Sequence, residues 1–317
     1  MIDLPTEATI QMPLWGWIVF NLFVLTAVAI DLFALRRNKK GLPVKRALIA
    51  CGAWVAFALL FNAMLYHFYG KEAALDFLAG YLIEESLSLD NLFVFILIFE
   101  YFKVPAKYQH KVLFWGILGA VVMRALFIFF GIALVSRFHW ILYLFGAFLV
   151  YAAIKMAMPK SEEIHPENNS IITLLKKFIP LSSEYDKDKF FTLKNGKWWA
   201  TPLFTALVTV ELTDLMFAFD SIPAVMAITL DPFIVYTSNI FAILGLRSLY
   251  FALAHLMPLF HFLKYGLAGI LAFVGFKMLL ASWIEVPIVF SLGFIAASII
   301  LCTVLSFLFP KNEKKIN

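Results

Sequence analysis

Nine apolar runs of roughly 20–25 residues, divided by mostly short polar connections, organise this chain. They cover about 14–35, 47–69, 77–101, 112–135, 139–158, 200–229, 233–257, 260–283 and 286–309. A helix needs about 20 apolar residues to cross the roughly 30 Å hydrocarbon layer of a bilayer. Each run therefore predicts a transmembrane helix. Trp15, Trp17, Trp140, Trp198, Trp199 and Trp283 stand near the ends of runs, where amphipathic rings favour the membrane–water boundary. In the first run the positive charges follow the apolar stretch, the reverse of a secretory signal, so we expect a retained helix.

Composition agrees with lipid as the solvent. Hydrophobic residues make up 62% of the 317 and charged residues 15%, against roughly 45–50% and about 25% in soluble domains. The formal charge of +5 does not point to nucleic acid, because the basic residues lie in the connections. Arg36, Arg37, Lys39, Lys40, Lys45 and Arg46 crowd the first; Lys103, Lys107 and Lys111 mark the third; seven lysines lie in 159–199 and three in 311–317. With nine helices and the N-terminus outside, all four basic segments fall on the cytoplasmic side, as the positive-inside rule requires. Cys51 and Cys302 form no Cys-x-x-Cys pair, so no redox or disulfide framework is expected. Within 159–199, residues Ile171, Ile172, Leu174, Leu175, Phe178 and Ile179 have the spacing of a short interfacial helix; a tethered cytoplasmic linker is the other reading.

The two halves repeat one another. Glu84-Glu85-Ser86-Leu87-Ser88-Leu89-Asp90-Asn91 is answered by Asp214-Leu215-Met216-Phe217-Ala218-Phe219-Asp220-Ser221, each an acid with an Asp six residues later and a small polar residue after it. Arg124 is followed by Lys155 after 31 residues, and Arg247 by Lys277 after 30. The Asp-to-Arg spacing is 34 in the first half and 27 in the second, and the longer 102–111 connection takes up the difference. The expected organisation is two N-terminal helices in 1–76, a three-helix unit in 77–158, a cytoplasmic loop in 159–199, a second three-helix unit in 200–283, and a last helix with a basic tail in 284–317. Because three is odd, the two units enter from opposite sides. Inverted repeats of this kind are common in secondary transporters and place the substrate near the midplane.

The acids carry the candidate chemistry. Glu84, Glu85 and Asp90 lie in the third run, and Glu211, Asp214 and Asp220 in the sixth. An ionised group at the bilayer centre costs roughly 2.5–3.5 kcal/mol on insertion scales, so partners, water or a bound cation must offset it. Glu211 and Asp214 share a helical face, as do Glu84, Ser88 and Asn91. Pro223 is expected to disturb the turn holding Asp220 and to expose carbonyl oxygens; no proline follows Asp90. Carboxylates with the Asn91 amide and the Ser221 hydroxyl suit a hard divalent cation such as Mn²⁺, Ca²⁺ or Mg²⁺. Arg124 and Arg247 are counter-ions in this reading, while Lys155 and Lys277 snorkel to the boundary. No His-Glu-x-x-His or nucleophile–base pattern suggests an enzyme, and no resident cofactor is expected.

At these motifs, "EESLSLDNLFVF", "ELTDLMFAFDSIPAV" and the two "R…KM" tails, the chain resembles the TerC family of bacterial membrane proteins, over about 12–309, and is most similar to its alkali-inducible branch. The resemblance implies manganese export across the bacterial inner membrane, metal homeostasis at alkaline pH and, by the family's name, tellurium resistance. It also maps the metal path onto Glu84, Asp90, Glu211, Asp214 and Asp220, with Asn91 and Ser221 beside it.

Overall fold

An apolar helix of 58 residues is nearly three bilayers long, and α2 (Val44–Tyr101) avoids that length by folding back at Gly70. Gly70 has φ 92° and ψ −178°, a region open essentially to glycine alone. The two arms, 44–69 and 71–101, then lie alongside each other, with the Phe61 and Phe77 rings 5.2 Å apart. The computed structural model describes residues 12–36, 44–138, 140–158, 179–182, 184–194, 196–253, 262–281, 283–284 and 286–308. Its other helices are α1 (Leu14–Arg36), α3 (Ala106–Arg137), α4 (Ile141–Ala157), α5 (Pro202–Met226), α6 (Pro232–Leu253), α7 (Leu263–Leu279) and α8 (Ile288–Leu308). With α2 counted as two arms, each expected apolar run has its helix. The protein is an all-α integral membrane protein, and five of its described helices are long and apolar enough to span a bilayer.

The helix ends reflect local chemistry. Residues 71–76 are helical rather than a polar connection, and Lys-Glu-Ala-Ala-Leu-Asp is rich in good helix formers. Asp231 caps α6 by accepting from the amides of Phe233 at 2.9 Å and Ile234 at 3.0 Å, with Pro232 in the first turn. Pro223 does not break α5, which runs on to Met226. The helix is therefore unbroken at Asp220, and the expected disturbance is confined to the one bond that Pro223 cannot donate. Pro223 stands three residues from the helix end, where it removes one bond and leaves little helix to kink.

Packing relates the two triplets. The second arm of α2 packs on α6, and α3 packs on α5; α4 meets α7, α3 meets α6 and α2 meets α5. Exchanging the triplets turns the first contact into the second and each of the others into itself. The α3–α5 pair is parallel: its contacts step from Gly116/Val210 through Gly119/Glu211 and Arg124/Asp214 to Phe127/Phe219. The second arm and α6 are parallel as well, stepping from Gly80/Ser238 through Glu84/Asn239 to Phe99/Tyr250. The least apolar of the five long spans, α6, is also the most enclosed. Its Thr237, Ser238, Asn239, Arg247 and Ser248 are thereby hidden from lipid.

Two apolar clusters fill the bundle. One, including Phe77, Ile128, Ile222 and Phe233, occupies the half away from the 102–105 turn. The other, including Leu92, Leu113, Leu203 and Leu246, occupies the half beside that turn. Outside the bundle, β1 (Phe191–Lys194) and β2 (Lys197–Ala200) form a hairpin within the segment read from sequence as a linker. Tyr185 donates to the Phe102 carbonyl at 2.7 Å, and Lys111 pairs with Asp188 at 3.3 Å, fastening this segment to the α2–α3 corner. Residues 171–178, read as an interfacial helix, lie outside the described residues.

Candidate cation site

Between the two apolar clusters lies a polar layer assembled from both triplets. Asp214 is the thirteenth of the 25 residues of α5, half-way along a helix of spanning length. Beside it comes Arg124 from α3, with Glu84 from the second arm of α2 and Asn239 from α6. All four are buried; Arg124 is 1% exposed and Glu84 not at all.

Arg124 organises the layer. Its Nε donates to Asp214 Oδ2 at 3.2 Å and its Nη2 to Asp214 Oδ1 at 3.1 Å, the two-pronged geometry that favours arginine over lysine. Its Nη1 donates to Glu84 Oε1, to Asn239 Oδ1 at 2.7 Å and to Ser221 Oγ at 3.5 Å. Asn239 closes the ring by donating from Nδ2 to Glu84 Oε2 at 3.2 Å. Two carboxyl groups thus share one guanidinium. A second positive charge would fit this balance if both are ionised, and in a low-dielectric interior such a balance governs which ions the layer tolerates.

The structure brings Glu84, Asp214, Ser221 and Arg124 together. Other candidates stand apart from that contact. Glu211 is one turn nearer the 102–105 side and faces Gly119, where a Cβ would overlap its carboxylate. Glu211 Oε2, Ser88 Oγ, Asn91 Nδ2 and Glu85 Oε2 are buried without a hydrogen-bond partner among the described residues. Arg247 is buried and, with Asp214, lines a small cavity among Phe95, Leu113, Gly116, Ile117, Ala120, Val210 and Leu246. Its volume of roughly 10 Å³ suits about one water molecule. Along their helices Ser88, Asn91, Glu211 and Arg247 lie nearer the 102–105 turn than Glu84 and Asp214, while Glu85 faces Tyr81 and Cys51. Asp220 lies on the opposite side of the layer, half-buried and within electrostatic reach of Lys155. The Asp90 side chain, and His255 and His261, lie outside the described residues. Met216 is exposed on the bundle surface. Among the described residues, no cluster of three or more His, Cys, Asp or Glu is placed to hold one ion.

Asn239 was not among the sequence candidates. The signal for it is Thr237-Ser238-Asn239, three adjacent polar residues within the first third of an apolar run. It has no counterpart in the acid-based repeat, since Gly116 stands eight residues before Arg124 as Asn239 stands eight before Arg247.

Comparison with known proteins agrees with this architecture. Residues 69–315 match the integral membrane protein TerC family. The chain is 47% identical to the uncharacterized membrane protein STKORF319 of Myxococcus xanthus, covering 88% of each chain. It is 44% identical to a protein of Escherichia coli K12 provisionally named membrane-bound redox modulator Alx, covering 92% of this chain and 94% of that one. An uncharacterized membrane protein of Rickettsia bellii is 37% identical, with 94% and 98% covered. No solved structure matches. From the match over residues 69–315 and these full-length relatives, the chain belongs to the TerC family of integral membrane proteins.

Proposed function

We propose that this chain carries a divalent metal cation across the bilayer, with Mn²⁺ the first candidate, export the direction and protons the exchanged ion. One observation carries the reading: Glu84 and Asp214, matched acids of the two triplets, converge at mid-span on the guanidinium of Arg124, beside neutral oxygens of Ser221 and Asn239. Carboxylate, amide and hydroxyl oxygen suit hard cations. Mid-membrane carboxylates are costly unless they serve an ion. Carboxylates release protons as they take up metal, which couples the two flows. Two inverted units that meet at a mid-membrane site form the architecture in which one unit rocks against the other.

The basic 102–111 and 179–201 segments pack together, and the positive-inside rule makes theirs the cytoplasmic side. The N-terminus is then outside, the C-terminus inside, and the membrane the bacterial cytoplasmic one. Ser88, Asn91, Glu211 and Arg247 line the approach from that side, with Asp90 and Asp220 as further candidate ligands on the path.

The test is transport of Mn²⁺, Ca²⁺ and Mg²⁺ into proteoliposomes containing the full chain. Glu84→Gln with Asp214→Asn is expected to lower Mn²⁺ flux by at least about tenfold, the loss of one strong charged contact. Flux equal to wild type rejects the reading, and the ion carried fastest identifies the cargo.

A second reading has its own support. The 179–201 segment is folded and fastened to the bundle, and relatives are named for redox modulation. On that reading the protein is a scaffold in metal or tellurite stress. Deleting 184–200 would then abolish resistance, while the carboxylate variants would retain it.

A further inference from the structure

Five oxygen atoms from three helices converge on one cationic group that belongs to a fourth. They are Glu84 Oε1 of α2, Asp214 Oδ1 and Oδ2 and Ser221 Oγ of α5, and Asn239 Oδ1 of α6; the cation is the guanidinium of Arg124 of α3. None of the five comes from the arginine's own helix. Hard divalent cations take about six to eight oxygen ligands; the five oxygens here are spread over the three nitrogens of the guanidinium and form the shell of a smaller ion only if they draw together once the guanidinium leaves.

We infer that Arg124 is a tethered stand-in for the transported cation: it fills the shell in this conformation, and a divalent ion is bound only when α3 withdraws it. The inference rests on the transport reading and adds a control step to it. A resident charge of +1 balances only part of two carboxylates, so a doubly charged ion can displace it. An empty shell would hold two carboxyl groups unpaired at mid-bilayer, which is costly; the arginine keeps the cargo-free protein closed around its own charge. Asn239 positions the stand-in, since it accepts from Arg124 and donates to Glu84. The neighbouring small cavity beside Asp214 and Arg247 leaves room at the edge of the shell on the side of the 102–105 turn.

The arrangement predicts competition. A site blocked for most of the time binds with an affinity reduced by the fraction open. Removing the block tightens binding, whereas losing a merely structural counter-ion loosens the fold and the site together. The experiment is Mn²⁺ binding to the purified full chain in detergent, followed by the electron paramagnetic resonance of the free ion. Arg124→Ala is expected to bind Mn²⁺ at least about tenfold tighter than wild type. Added guanidinium chloride weakens that binding again; tetramethylammonium chloride, of equal charge but without N–H donors, does not. Should Arg124→Ala fail to fold, Arg124→Lys serves. It keeps the charge but cannot fork onto Asp214 while reaching Glu84, and it is expected to bind Mn²⁺ tighter by a smaller factor.

Equal or weaker Mn²⁺ binding in the folded variants overturns the stand-in. If wild type still carries Mn²⁺ into proteoliposomes in that case, the transport reading survives alone. Binding that appears only in the Arg124 variants, with no flux in any form, rejects transport and with it a stand-in for a transported ion, leaving Arg124 as a plug in a cation-binding shell. Absence of binding in wild type and variants alike overturns both.

Discussion

Side chains of two kinds share the membrane interior here, those locked into a network and those left waiting. Arg124 and Asp214 belong to the first kind. Arg124→Gln leaves two carboxyl groups without their shared cation, and breaking a buried pair costs about 3–5 kcal/mol. The expected outcome is a large fall in the thermal midpoint of the metal-free protein in detergent, partly restored by Mn²⁺, since a ligand that binds only the folded form stabilises it. Asn239→Leu has a similar volume but removes one acceptor from Arg124 and one donor to Glu84. About 1–3 kcal/mol for each unsatisfied partner predicts a smaller fall, measurable in the same melt. Glu211 and Asn91 belong to the second kind, with buried atoms lacking a partner among the described residues. The charged candidates were legible from their cost in an apolar run. Asn239 was not, because an uncharged amide stands out little and the repeat offers no counterpart.

Among the elements, glycine decides two geometries. Gly70 permits the backbone reversal of α2, and Gly70→Ala forces an L side chain into a conformation costing about 1–3 kcal/mol. Lower thermal stability with unchanged helix content is the expected readout by circular dichroism. At the α4–α7 crossing, a Cβ on Gly146 would lie 2.9 Å from the Gly275 carbonyl oxygen, and one on Gly275 2.8 Å from that of Gly146. Backbone meets backbone there, so the neighbour cannot swing aside. Gly275→Val is expected to cost about 1–3 kcal/mol by overpacking or to separate the two helices, lowering the yield of folded protein. The helices themselves were legible from run length. The unbroken α5 was not, because a proline's effect depends on how much helix follows it.

For the whole molecule, sidedness and the outer hairpin are open to test. Contacts of 179–201 with the α2–α3 corner require both segments on one membrane face. Single cysteines at Lys107 and Lys189, in a chain with Cys51 and Cys302 replaced by serine, are expected to react identically with an impermeant thiol reagent in intact cells. Opposite reactivity would remove the packing described here. The dock also responds to acid. Lys111, through its hydrogen bond and its charge, holds the Asp188 carboxyl below the usual carboxylate range. A depressed carboxyl contributes stability above its unfolded value and loses it as pH falls through the lowered folded value. Proteolysis of 184–200 in inside-out vesicles is therefore expected to quicken under strongly acidic conditions and in high salt, which screens exposed pairs. In Lys111→Met this response is expected to shrink.

What the amino-acid order by itself determined is the solvent, the number of crossings and the doubled motif. Each follows from local quantities: apolar run length against bilayer thickness, the positions of lysine and arginine, and the spacing of acids. The tertiary structure alone decided which acids meet. Glu84 and Asp214 are 130 residues apart, and their common partner comes from a helix that belongs to only one of the two units. Side-chain convergence depends on helix rotation and crossing, which arise from packing over the whole bundle rather than from any local pattern.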